Sequence, residues 1–146
     1  MLPHTPPSAA RPRRILLVDD EVNQLVVLRS GLAKLPNCEV AVATGGRQAL
    51  SLFAQQAFDL LITDYHMPKM DGLMLAATVR QQYPLTQVIM LTAFSNEILG
   101  AQAEDGLVRL VLEKPIDIQH IRSAVLQVLE QAAAPDDPDL NSPDRG

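Results

Sequence analysis

Short apolar runs of strand length alternate along this chain with stretches whose apolar residues recur at helical spacing. Ile15-Leu16-Leu17-Val18 is continuous and apolar, which predicts a strand over Arg14–Val18 that is buried on both faces. Leu25, Leu28, Leu32 and Leu35 then recur at i, i+3, i+7 and i+10, an amphipathic helix that Pro36-Asn37 should end. The alternation continues. Glu39–Ala43 reads as strand two, Gly45-Gly46 as a turn, and Arg47–Gln56 as a helix with Ala49, Leu50 and Phe53 on one face. Leu60–Asp64 is strand three, and Leu73–Gln82 is helix three, stopped by Tyr83-Pro84. Gln87–Leu91 is strand four, Ser95–Glu104 a helix weakened by Gly100, and Val108–Leu112 strand five. A last helix opens at the N-cap Asp117 and carries Ile118, Ile121, Val125 and Val128 on one face.

Five strands alternating with five helices, joined by right-handed crossovers, predict an α/β fold, a doubly wound five-stranded parallel sheet of order 2-1-3-4-5, flavodoxin-like (βα)5. Residues 1–13 lack any face to bury and read as a disordered lead-in, residues 14–132 as one domain, and residues 133–146 as an acidic disordered tail or linker. The length of 146 residues suits one domain with tails.

Composition narrows the function classes. With 47% hydrophobic and 20% charged residues the chain is balanced like a soluble globular protein, and a net charge of −5 argues against direct nucleic-acid binding. No apolar run approaches the ~18 residues of a membrane span, so neither membrane insertion nor an address other than the cytoplasm is expected. The single cysteine, Cys38, excludes a disulfide framework within one chain and reads as a small buried hydrophobe.

Chemistry collects where the strands end. Strand one runs into Asp19-Asp20, strand three ends on Asp64, strand four delivers Thr92, and strand five is followed by Lys114. In the predicted order strands one and three are neighbours whose helices leave to opposite faces, which opens a crevice at the carboxyl edge of the sheet. Three carboxylates crowded there repel one another unless a cation joins them. An all-oxygen set without His or Cys suits Mg²⁺, with Mn²⁺ as a substitute. A hydroxyl and an ammonium beside that ion suit a phosphoryl group, and a strand-end carboxylate is a known covalent nucleophile.

Taken singly, each residue has a plainer reading. An Asp pair after a strand caps helices, a strand-end acid caps turns, and most lysines are solvated. Four of five strand ends that each fit one reaction are what turns the balance. His120 reads as solvated, a side-chain metal role for His66 is disfavoured, and Met67, Met70, Met74 and Met90 read as packing residues.

On Ile15 through Glu21, Asp64 through Gly72 with its Met67-Pro68 and Asp71-Gly72, Thr92-Ala93 and Lys114-Pro115, the chain resembles the receiver domain of bacterial two-component response regulators from about Arg14 to Leu129. The resemblance implies phosphoryl transfer from a sensor histidine kinase to Asp64. It implies Mg²⁺ held by Asp20 and Asp64, by Asp19 mostly through water, and by the backbone carbonyl of His66. Thr92 and Lys114 would contact the phosphoryl group, and the Lys114–Pro115 bond would be cis. The signal would leave through the surface of the fourth helix, fifth strand and fifth helix to a downstream protein partner, a phosphotransferase, or a second copy meeting on that face.

One position departs from the family. The aromatic expected three residues before the lysine is Val111. The chain would stand alone without an output domain or be a fragment of a larger regulator or hybrid kinase. An enzymatic rival, a haloacid-dehalogenase-like phosphotransferase, wants a second Asp two residues after the nucleophile, where this chain has His66. On this reading the protein is a phosphoacceptor and not an enzyme with turnover.

Overall fold

The computed structural model describes residues 11–93 and 106–133. Its elements are β1 (Arg13–Val18), α1 (Val22–Leu32), β2 (Cys38–Ala43), α2 (Gly46–Gln55), β3 (Leu60–Asp64), α3 (Gly72–Gln82), β4 (Gln87–Thr92), β5 (Leu110–Glu113) and α4 (Ile118–Ala133). The five strands form one parallel sheet in the order β2-β1-β3-β4-β5. That is the predicted architecture. The helix expected over Ser95–Glu104 lies outside the described residues, as do residues 1–10 of the predicted lead-in 1–13 and residues 134–146 of the predicted tail 133–146.

Alternating strand residues feed two cores, which is why the runs are apolar without interruption. On one face Ile15, Leu17, Leu60, Ile62, Ile89 and Leu91 pack with Leu25, Leu28 and Leu32 of α1 and Ile121, Val125 and Val128 of α4. On the other face Leu16, Val18, Leu61, Val88 and Met90 pack with Ala49 and Phe53 of α2 and Leu75, Ala76 and Val79 of α3. A residue at such a position contributes roughly 1.5–3 kcal/mol by leaving water. Because α1 follows β1 to one face and α3 follows β3 to the other, the chain parts between these neighbouring strands, and the crevice opens at their carboxyl ends.

Several boundaries differ from the sequence pattern. α1 stops at Leu32 and not at Leu35, since Leu35 N–H already turns back to the Leu32 carbonyl at 3.0 Å. Leu35 is still buried under the helix end, so its apolar character reports burial and not helix. β1 begins one residue earlier than expected because Arg13 N–H donates to the Asn37 carbonyl at 2.9 Å. Arg11, placed by the pattern in the lead-in, grips Asp59 with both guanidinium nitrogens at 3.0 and 3.2 Å. The folded unit therefore includes residues 11–13. β5 lies two residues later at its start than predicted, its ladder opening with Leu110 opposite Ile89. Cys38 is half-buried at the start of the edge strand β2, and burial raises its thiol above the ordinary value.

Candidate phosphoacceptor site

Ordinary backbone pairing sets the strand tips that carry Asp19, Asp64, Thr92 and Lys114. Asp19 follows β1 directly, and its N–H donates to the Ala43 carbonyl at 3.2 Å, which extends the β1–β2 ladder to the acid. Asp64 closes β3, and Tyr65 N–H donates to the Leu91 carbonyl at 2.9 Å. Thr92 closes β4, and its carbonyl accepts from Lys114 N–H at 2.8 Å. The predicted cis bond between Lys114 and Pro115 is present. Tight turns hold the far side. Gly72 N–H donates to the Tyr65 carbonyl at 2.8 Å, and Asp71 caps α3 by accepting from Met74 N–H at 2.9 Å.

The structure brings Asp19, Asp20 and Asp64 together, one carboxylate oxygen of each within 4.8 Å of the others. Asp19, Asp64 and Thr92 are buried, while Asp20 is exposed at the mouth. Lys114 Nζ lies 2.8 Å from Asp64 Oδ1 and 3.6 Å from Asp19 Oδ2. Only the first is a hydrogen bond; the second is an ion pair at longer range. Asp19 Oδ1 accepts from Glu21 N–H at 2.9 Å, which leaves Oδ2 buried without a hydrogen-bond partner.

Burial is the largest influence on the Asp19 carboxyl and raises its proton affinity, as do Asp64 and Asp20, while Glu21 N–H and Lys114 act against this. The Lys114 ammonium is penalised by burial, yet its bond to Asp64 and the charges of Asp19 and Asp64 hold its pKa above the ordinary lysine value. A buried anionic oxygen that lacks a hydrogen bond, among three carboxylates, is a place where a hard divalent cation fits, because it satisfies Oδ2 and offsets the repulsion at once.

His66, two residues beyond Asp64, keeps an exposed side chain whose ring lies 4.5 Å from that of Tyr65. Val111 is partly buried among the α3-side core residues, opposite Met90 in the β4–β5 register. Thr63 escaped the sequence reading. Its fully buried hydroxyl donates to the Asp64 carbonyl at 3.0 Å. The signal available was a hydroxyl residue at the end of an otherwise apolar strand run.

With this geometry in view, comparison with known proteins gives a consistent result. The family described as "Response regulator receiver domain" matches residues 15–126. The chain is 32% identical over 121 residues to a probable chemotaxis protein CheY of Rhizobium etli, covering 81% of this chain and 93% of that one. It is 30% identical over 115 residues to the transcriptional regulatory protein ZraR of Escherichia coli K12, covering 79% of this chain but only 26% of ZraR. Among solved structures, the signal receiver domain of an HD domain-containing protein from Pseudomonas fluorescens superposes with a TM-score of 0.79 at 36% identity, covering 85% of this chain and 99% of that one. The response regulator TrrA of Thermotoga maritima, solved with Mg²⁺ and BeF, superposes with a TM-score of 0.70 at 28% identity over 80% of this chain and 98% of that one.

Proposed function

Because the chain belongs to the response regulator receiver domain family, we propose that Asp64 accepts a phosphoryl group from the phosphohistidine of a sensor histidine kinase. The observation that carries this reading is Lys114 Nζ at 2.8 Å from Asp64 Oδ1, on the rim of three converging carboxylates. A nucleophilic carboxylate and the dianion it attacks both need their charge offset, and a buried ammonium and a divalent cation serve that need.

In the transfer, an Asp64 carboxylate oxygen forms a bond to phosphorus while the donor's phosphorus–nitrogen bond breaks. The imidazole leaves with the electron pair and takes up a proton. Lys114 balances charge on the phosphoryl oxygens, and the buried Thr92 hydroxyl donates to one of them. Asp19, Asp20, Asp64 and the His66 backbone carbonyl would hold Mg²⁺, with Mn²⁺ able to replace it. When bound, that ion supplies positive charge beside the developing negative oxygens. Residues 11–133 form the receiver unit, and it acts as a phosphoacceptor without turnover on other substrates.

The phosphorylated state signals through a surface that includes β5 and α4, toward a downstream protein partner, a phosphotransferase or a second copy of the chain. Val111, in place of an aromatic, supports a switch that does not run through a ring at that position. Among the described residues no helix is long and apolar enough to cross a membrane, which fits a cytoplasmic protein.

The test is incubation with Mg²⁺ and either radiolabelled acetyl phosphate or a phosphorylated histidine kinase. Base-labile, hydroxylamine-sensitive label should appear on the wild type and be absent from Asp64→Ala. Equal labelling of the two proteins would refute the assignment.

A further inference from the structure

Behind the acidic cluster, on the face of β3 that α3 covers, three groups converge on the backbone of the nucleophile itself. Thr63 is 0% exposed, and its Oγ1 donates to the Asp64 carbonyl at 3.0 Å. The same peptide unit is held at its other end, where Tyr65 N–H donates to the Leu91 carbonyl at 2.9 Å. The next unit is held too, through Gly72 N–H to the Tyr65 carbonyl at 2.8 Å.

Packing leaves these planes no slack. A Cβ on Gly72 would lie 2.4 Å from the Asp64 carbonyl oxygen, 2.7 Å from Met90 Sδ and 2.9 Å from Tyr65 Cα. Met90 is also the register partner of Thr63 across the β3–β4 pair. The start of α3 thus presses directly on the tip of β3, and a flexible side chain is not the main obstacle to moving it.

A peptide plane fixed at both ends sets the backbone torsion of Asp64 and with it the direction of the Asp64 side chain. We infer that Thr63 is a positioning residue for Asp64, its hydroxyl locking the Asp64–Tyr65 peptide plane so that the carboxylate is aimed for in-line attack, with Gly72 as the stop behind it. The inference rests on the phosphoacceptor reading of Asp64. Thr63 touches neither the ion nor the phosphoryl group; it acts through the backbone, where small displacements of a nucleophile cost rate. If the buried hydroxyl served stability alone, its removal would lower the melting temperature and leave the rate of the folded protein untouched.

The experiment compares wild type, Thr63→Val, Thr63→Ser and Gly72→Ala in the full chain. It measures the rate of labelling by acetyl phosphate at saturating Mg²⁺, the donor half-saturation, Mg²⁺ half-saturation from tyrosine fluorescence, and the melting temperature. Thr63→Val should lower the saturating rate about tenfold with both half-saturations nearly unchanged, and Thr63→Ser should return it to within about twofold of wild type. Gly72→Ala should lower the same rate. If Thr63→Val does not fold, Thr63→Ala replaces it. A folded hydroxyl-less variant at the wild-type rate overturns the inference, as does a loss that Thr63→Ser does not rescue. A wild type that takes no label refutes the phosphoacceptor reading instead.

Discussion

Lys114 Nζ sits 2.8 Å from Asp64 Oδ1 but 3.6 Å from Asp19 Oδ2, so the lysine is hydrogen-bonded to one acid of the cluster and only attracted to the other. The preference matters because it leaves Asp19 Oδ2 buried without a hydrogen bond. One carboxylate is paired for chemistry, and its neighbour holds an unmet need that an ion can satisfy.

Replacing Lys114 by Met should therefore separate the two functions of the site. Loss of the ammonium removes charge balance from the phosphoryl oxygens, and labelling of Asp64 should fall by about 100-fold or more. Mg²⁺ should bind at least as tightly as before, since three carboxylates then lack a counter-charge. Parallel rate measurements and Mg²⁺ titrations check this, and a matching loss of Mg²⁺ affinity would contradict it.

Chelation of divalent ions should abolish labelling, and Mg²⁺ or Mn²⁺ should restore it. Asp20 is exposed, and Lys114 pairs with Asp64 and Asp19, so Asp20→Asn should weaken Mg²⁺ binding by about tenfold or more while leaving the melting temperature of the ion-free protein nearly unchanged. Isothermal titration and thermal melts distinguish the two effects.

At the opposite edge of the sheet, Asp59 ties the N-terminal segment to β3. Burial raises its pKa, but the Arg11 guanidinium and Arg14 N–H, the latter at 2.8 Å, more than reverse this and hold it below its ordinary value of 3.8. A depressed carboxyl contributes stability that is present above the unfolded pKa and lost as pH falls through the lower folded pKa. Asp59→Asn should thus cost about 2 kcal/mol near neutrality. The gap to wild type should close as pH falls below the ordinary carboxylate range, which urea unfolding at neutral and acid pH can follow.

The contact between α1 and α4 gives a test of packing alone. A Cβ on Gly31 would meet Ile118 Cγ2 at 2.8 Å and Cδ1 at 2.9 Å. Gly31→Ala gains about 1 kcal/mol of helix propensity but loses about 1–3 kcal/mol to overpacking, so the single change should be neutral to destabilising. In an Ile118→Ala background the clash is gone, and Gly31→Ala should become stabilising. Denaturant midpoints for the four proteins of the cycle read the sign change directly.

Much of the fold was legible because burial leaves a local trace. Ile15–Val18 and Leu60–Ile62 are apolar on successive positions, which only a strand covered on both faces requires, and the βα alternation with right-handed crossovers leaves few strand orders. The site was legible for a related reason. Asp19, Asp20, Asp64, Thr92 and Lys114 all stand directly after such runs, so predicting the strands predicted their shared edge. Boundaries were less legible: Leu35 is apolar because it is buried beneath a helix end, not because it is helical. The Arg11–Asp59 grip joins residues 48 apart, and no pattern in either segment announces it.

By itself the sequence determined which residues leave water, which strands exist and which chemical groups sit at their tips, because these follow from hydrophobic period and turn residues within a few positions. Only the tertiary structure decided that Lys114 bonds Asp64 in preference to Asp19, that Asp19 Oδ2 is stranded, and that Thr63 and Gly72 close on the Asp64 backbone. Those outcomes turn on distances between side chains at the strand tips, such as 2.8 against 3.6 Å for Lys114, and such distances are set by register and packing among residues far apart in the chain.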